Sequence, residues 1–405
     1  MKNKQLKKDF VWNMLGLTIN SFNSLFFLVI INWINGRHDG GIFTFSFSLC
    51  CLLYFVGTFY NRTYQISNPN KFTNKEFIMN RVISVLIMLG LTICYALIMK
   101  YEIYKFSIIL GLCFYKMLES FAEVMYGIET ENDELYKSGI SMFIKGVLSI
   151  ILFLVIDLIT KNLLLSVSII VLVNIFVILV YDIPNCKKYI TSVINYKNVL
   201  RIFKFTLPIF VFCFLNNYLI NSSKYILDVF ETAETQNLFG IILMPGTIMG
   251  LCTGYILNPY LVKLKKNLKD KKYDNFDKTI GKIVLSIILL GIFIIVCAYL
   301  FGIKLMGLVY HIDLSPYATD IIIIIAGSIF LSITIIYSNV LTIMNKNITQ
   351  MILYIINSII SLVISIILIK NYGLFGATLT YLIIMVLQGI EFVFAYKILY
   401  KKLEV

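Results

Sequence analysis

Lys116, Glu119 and Glu123 stand three and four residues apart inside one of the chain's long apolar runs. That spacing puts all three on one face of a helix. A charge at the centre of a bilayer costs at least about 2.5 to 3.5 kcal/mol on insertion scales, so such a face must look into protein or water. Two chemistries fit it. One is a cationic lining for an anionic ligand, with carboxylates that take up protons or sodium; the other is a buried ion pair that locks helices together. Lys145 adds a cation in the next apolar run, and Glu391, one turn from Gln388, adds an acid in the last. Glu119, Glu123 and Glu391 are the candidates for ion coupling.

Amide side chains form a second pattern. Asn13, Gly16, Asn20 and Asn23 recur at helical steps in the first apolar run, and Thr206, Cys213, Asn217, Asn221 and Lys224 do so in the seventh. Amides both donate and accept hydrogen bonds, which suits sugar hydroxyls; small and amide residues at this spacing also simply pack helices. Arg62, at the inner end of the second run, has the planar fork that grips a phosphate bidentately, or serves only as a topology charge. The candidate cavity residues are therefore Asn13, Asn20, Arg62, Lys116, Lys145, Asn217, Asn221 and Lys224.

Other chemistries have little material. His38 and His311 are the only histidines and stand apart, which leaves no His-based catalytic centre or zinc site. Of the eight cysteines, only Cys186 falls in an expected loop, and no CxxC pair exists, so no metal or redox site is expected. No cofactor and no catalytic residue are expected.

The elements that must hold these residues are membrane helices. The 405 residues are 59% hydrophobic and 14% charged, with mean hydropathy +0.86, which excludes a soluble enzyme. Apolar stretches long enough to cross about 30 Å of hydrocarbon predict twelve spans. They run near 10–34, 42–61, 79–99, 106–128, 139–159, 163–182, 201–222, 238–258, 281–303, 320–343, 349–369 and 375–399. The first reads as a retained helix, since no small-residue cleavage site follows it. Six spans, a polar stretch and six more predict a six-helix bundle over 1–184, a cytoplasmic linker over 185–200 and a second bundle over 201–405. Two such bundles enclose a central cavity in several transporter folds.

Net charge of +13 points to topology rather than nucleic acid, because the basic residues sit between the spans. With the N-terminus inside, 26 of the 35 lysines and arginines fall in cytoplasmic segments and seven in outer ones, placing both termini in the cytoplasm. The lysines from Lys263 to Lys282 also face anionic headgroups. Pro208 and Pro259 read as helix starts, and Pro245, followed by Gly246, as the flexible joint.

Several stretches together resemble the Wzx-type flippases of O-antigen and capsular repeat units, in the polysaccharide branch of the multidrug/oligosaccharidyl-lipid/polysaccharide exporter superfamily. They are WNMLGLTINSFNSLF from Trp12, INGRHDGGIFTFSFS from Ile34, NRTYQIS from Asn61, YKMLESFAEVMYGIETENDELYKSGISMFIKG from Tyr115 and NSSKYILD from Asn221. The resemblance implies a MATE-like, all-α polytopic fold of about twelve helices. It implies transfer of an undecaprenyl-diphosphate-linked oligosaccharide across a bacterial cytoplasmic membrane, with a polymerase and a chain-length regulator as partners. It places Arg62, Lys116, Glu119, Glu123, Lys145, Lys224 and Asp228 where such proteins carry polar or charged groups. Glu129 departs from it, standing where glutamine is expected.

Two other readings stay open. A multidrug or cation antiporter of the same superfamily would favour acidic and aromatic cavity residues, against Lys116 and Lys145. A membrane-embedded polysaccharide polymerase would need a sizeable outer loop, and every expected outer loop is shorter than about twenty residues.

Overall fold

The computed structural model describes residues 2–68, 71–190 and 193–404. The side chains of Lys2, Lys4 and Lys402, counted above among the basic residues, lie outside the described residues.

Helices follow one another from end to end, and no strand occurs among the described residues. The first half holds α1 (Lys2–Ile34), α2 (Arg37–Thr58), α3 (Asn61–Ser67), α4 (Asn74–Ile98), α5 (Ile103–Glu131), α6 (Leu135–Thr160), α7 (Leu163–Val177) and α8 (Ile183–Cys186). The second holds α9 (Tyr196–Phe230), α10 (Ala233–Ile242), α11 (Met244–Lys269), α12 (Tyr273–Cys297), α13 (Ile303–Tyr310), α14 (Ala318–Ile343) and α15 (Asn347–Glu404).

Among the described residues, ten stretches are long and apolar enough to cross a membrane. The last of them, Asn347–Lys401, turns at Gly373, whose φ of 53° and ψ of −126° interrupt the helix. It therefore supplies two spans. The predicted fourth span is α5, 29 residues long and set apart from the ten by its charged face. Each of the twelve predicted spans thus finds a helix. Large apolar side chains such as Ile98 and Phe293, 76% and 63% exposed, stand where lipid would cover them.

The chain divides into two compact units, 1–214 and 215–405. In the first, α1 packs along α6, α6 along α7, and α2 against both α4 and α5. The crossing of α1 and α6 is close because it is built on glycine. A Cβ on Gly139 would run into the backbone of Trp12 and Asn13, and one on Gly16 into the carbonyl of Gly139. Small residues let membrane helices approach in this way. In the second unit α14 packs on α15, and α11 on α14 and α12.

Local signals set several boundaries. Thr73 and Glu76 form a reciprocal capping box at the start of α4, Asn162 caps α7, and Thr232 caps α10. A π turn, Ile178–Asp182, joins α7 to α8, and a second, Ala298–Gly302, joins α12 to α13.

Three expectations change. Pro208 and Pro259 lie inside α9 and α11, whereas Pro245 opens α11. Pro208 and Pro259 are therefore not helix starts, because the helical registers continue through runs that hydropathy alone had divided, while Pro245 stands just after the turn at Leu243 that separates α10 from α11. Cys186 is fully buried at the end of α8, with its thiol 3.6 Å from the carbonyl of Met125, and is not a loop residue. The second span breaks before Asn61, where Phe59 and Tyr60 both take left-handed backbone, with φ of 43° and 55°.

Candidate functional site

The charged face of α5 forms as its spacing predicts. Lys116 Nζ donates to Glu119 at 2.6 Å, and Asn20 of α1 donates its amide to the other oxygen of Glu119 at 2.8 Å. One carboxylate thus joins the amide stripe of α1 to the charged stripe of α5. The ammonium of Lys116 also lies 4.8 Å from the ring centre of Phe47, 5.1 Å from Tyr115 and 5.7 Å from Tyr54. Three rings around one ammonium stabilise it electrostatically through their π faces.

One turn further along α5, Glu123 accepts from Arg62 at 3.1 Å. Arg62 reaches it because the left-handed pair Phe59–Tyr60 ends α2 and starts α3 in a new direction. These two pairs are partly accessible: the side chains of Lys116 and Glu119 are 12% and 14% exposed, those of Arg62 and Glu123 19% and 26%. Both cations on this face already hold a carboxylate partner.

Lys145 is placed differently. Its ammonium contacts Asp182 at 2.5 Å, with side chains 6% and 0% exposed, and donates to the Tyr126 hydroxyl at 3.1 Å. Tyr126 also pairs with Ser141 at 3.0 Å, and its ring centre lies 5.6 Å from the Arg62 guanidinium. Tyr126 therefore separates the enclosed pair from the accessible one. The π turn widens the helix at Ile178–Asp182, a local device common at functional positions. Glu129 is also buried and accepts from Ser138 at 2.7 Å.

The remaining predicted residues sit elsewhere. The backbone of Asn13 lies at the Gly139 crossing. Asn217, Asn221 and Lys224 share α9, where the Asn221 amide donates to the Asn217 carbonyl at 3.2 Å and the Asn217 side-chain oxygen is buried without a partner. Glu391, in the second unit, accepts from Asn357 at 2.5 Å beside Gln388, whose buried amide has no hydrogen-bond partner. Among the described residues no cluster of His, Cys, Asp and Glu could hold a metal ion.

Sequence reasoning missed Arg81. Counted there as a topology charge, it is fully buried on α4, donating Nη1 to the Gly57 carbonyl at 3.0 Å and to Ser120 at 3.2 Å. The signal was present: Phe77, Arg81, Ser84 and Met88 recur at steps of three and four, and all are buried. Asp182 was missed because it closes an apolar run at its polar end. Asn80 was missed too; it accepts from Asn61 and donates to the carbonyl of Val199 at 3.0 Å.

This arrangement of helices is found in known transporters. The structure overlays on the inward-closed lipid II flippase MurJ with a TM-score of 0.76, at 14% identity over 96% of this chain and 87% of that one. The chain has the MATE-type transporter fold. An inward-facing multidrug resistance MATE family transporter of the MOP superfamily overlays with a TM-score of 0.69, at 13% identity over 97% of this chain and 99% of the other. In sequence, the chain is 29% identical over 339 residues to the capsular polysaccharide biosynthesis protein CapF of Staphylococcus aureus, covering 80% of this chain and 84% of that protein. No protein-family model matches it. The structural comparisons agree with the expected fold, and the capsular relative agrees with the polysaccharide-branch resemblance seen in the motifs.

Proposed function

We propose that the protein is a flippase that carries an undecaprenyl-diphosphate-linked oligosaccharide repeat unit across the bacterial cytoplasmic membrane for capsule or O-antigen synthesis. The observation that carries this reading is the relationship to a capsular polysaccharide biosynthesis protein along 80% of the chain, on a fold shared with a lipid II flippase. The polar face of the first unit suits the cargo. Arg62 and Lys116 supply cations for the diphosphate, and the amides of Asn13 and Asn20 supply donors and acceptors for sugars. Taken by themselves, Asn217, Asn221 and Lys224 on α9 offer the same chemistry in the second unit. Lys145 contributes through Tyr126 rather than by contact.

Access alternates between the two sides of the membrane while the lipid tail stays in the bilayer. Both termini lie in the cytoplasm. Glu119, Glu123 and Glu391 couple the cycle to protons or sodium. The carrier hands its product to a polysaccharide polymerase and a chain-length regulator.

Depletion in the host, followed by mass spectrometry of undecaprenyl-linked intermediates and a test of which leaflet holds the sugar, decides the matter. Complete repeat units held on the cytoplasmic side are the expected result. Units held on the outer side would indicate a polymerase instead. No accumulation, with increased drug sensitivity, would indicate a multidrug antiporter. For ion coupling, Glu391→Gln is expected to remove the dependence of transport on an imposed proton or sodium gradient, and retained dependence would clear Glu391 of that role.

A further inference from the structure

Arg81 is the largest fully buried side chain among the described residues, and its hydrogen bonding is incomplete. Nη1 serves Gly57 and Ser120, while Nε and Nη2 have no hydrogen-bond partner. Those two nitrogens share the edge of the guanidinium that receives a carboxylate bidentately. An enclosed cation with that edge open is costly, and a carboxylate placed on it would relieve the cost.

Glu123 lies one turn beyond Ser120 on α5, and Ser120 already touches Arg81 at 3.2 Å. At present Glu123 is held by Arg62 at 3.1 Å. Both arginines are also tied to the same backbone break. Arg81 caps the Gly57 carbonyl, which lies in the last turn of α2 where carbonyls lose their intrahelical partners. Arg62 stands just past the strained left-handed pair Phe59–Tyr60. Gly57 permits the approach, since a Cβ there would press on the Met88 sulfur at 2.9 Å and on the Ser120 hydroxyl at 3.0 Å.

We infer that Glu123 is exchanged between two arginines: an anionic group arriving at Arg62 displaces the carboxylate, which moves to the open edge of Arg81. Arg81 is then a positioning residue. It acts through Glu123, clearing Arg62 for the ligand and coupling occupancy to the α2–α3 break. The exchange deepens the proposed diphosphate reading and rests on it for the identity of the displacing anion alone.

The exchange itself is tested without ligand. In the full-length protein in detergent, melting temperatures are measured for Arg62→Ala, Arg81→Lys and the pair, with and without Glu123→Gln. Loss of Arg62 alone should be mild, because Glu123 finds Arg81. The pair should fall by more than the sum of the single changes, and Glu123→Gln should abolish that excess. An additive pair overturns the inference. The structure of Arg62→Ala asks the same question with Arg81 intact: Glu123 on the Nε–Nη2 edge is expected, and Glu123 anywhere else overturns it.

Inorganic pyrophosphate, titrated calorimetrically, then probes the ligand side. Arg81→Lys should weaken its binding about tenfold, and Glu123→Gln should restore it. Weakening that persists with Glu123→Gln would put Arg81 in direct contact with the anion and overturn the exchange. A non-additive melting cycle in a protein that binds no pyrophosphate would keep the exchange and remove the diphosphate reading.

Discussion

Lys145 and Asp182 face each other at 2.5 Å across α6 and the π turn that follows α7, and neither side chain is more than 6% exposed. The Tyr126 hydroxyl satisfies a second proton of the ammonium at 3.1 Å. Breaking such a pair from one side leaves the other charge buried alone, which costs about 3 to 5 kcal/mol. Asp182→Asn and Lys145→Met are each expected to lower thermal stability by that order in detergent. The double change Lys145→Met with Asp182→Leu should regain most of it, since apolar replacement of both partners is often neutral. Additive losses in the double variant would show that the pair is not a unit.

The accessible pairs answer differently. Lys116→Ala removes a cation whose partners are Glu119 and three aromatic rings, and Glu123→Gln removes the counter-charge of Arg62. On the proposed flippase reading, each is expected to reduce transfer of the repeat unit by ten- to a hundredfold at normal protein level, the equivalent of one charge-assisted hydrogen bond of about 1.5 to 3 kcal/mol. Transport that survives both changes would move the substrate site away from α5.

At the crossing of α1 and α6 the constraint is steric. Gly139→Val places a branched side chain against the backbone of Trp12 and Asn13. Helices this close cannot yield by a rotamer change, and overpacking of this kind costs about 1 to 3 kcal/mol or more. The expected outcome is a lower yield of monodisperse protein on size exclusion. Gly90, whose added Cβ would meet nothing within 4 Å, is the control: Gly90→Ala should leave the yield unchanged.

Spans were legible because bilayer thickness fixes the length of an apolar helix, and α5 was legible as the charged one because Lys116, Glu119 and Glu123 repeat at helical steps. The partner of each charge was not legible. Asn20 meets Glu119 across 99 residues and Arg62 meets Glu123 across 61, and such pairing depends on how helices cross rather than on any local pattern. Arg81 escaped because charge near a span end reads as topology, and only its phase with Ser84 and Met88 reveals that it faces inward. The prolines were misread for a related reason. Hydropathy marks where a run stops being apolar, not where the helix stops: α11 continues from its apolar part through Pro259 to Lys269.

Outside the membrane, Glu134 binds Lys137 at 2.7 Å and Lys188 at 3.2 Å, tying the α5–α6 turn to the short 3₁₀ turn Lys187–Tyr189. Partial burial pushes its carboxyl up, but the two ammonium groups outweigh this and hold it below its ordinary value. A carboxyl lowered in the folded state stabilises the fold at pH above its unfolded value, near 4.3, and that contribution disappears as pH falls through the lower folded value. The effect is small, because these pairs stand close to water and are screened by salt. Melting temperature is therefore compared between the wild type and Glu134→Gln from pH 7 to pH 3. The wild type should be the more stable above about pH 4.3, with the gap closing below it and shrinking in high salt. A gap that persists at pH 3 would mean that the glutamine acts by a change of packing rather than by loss of charge.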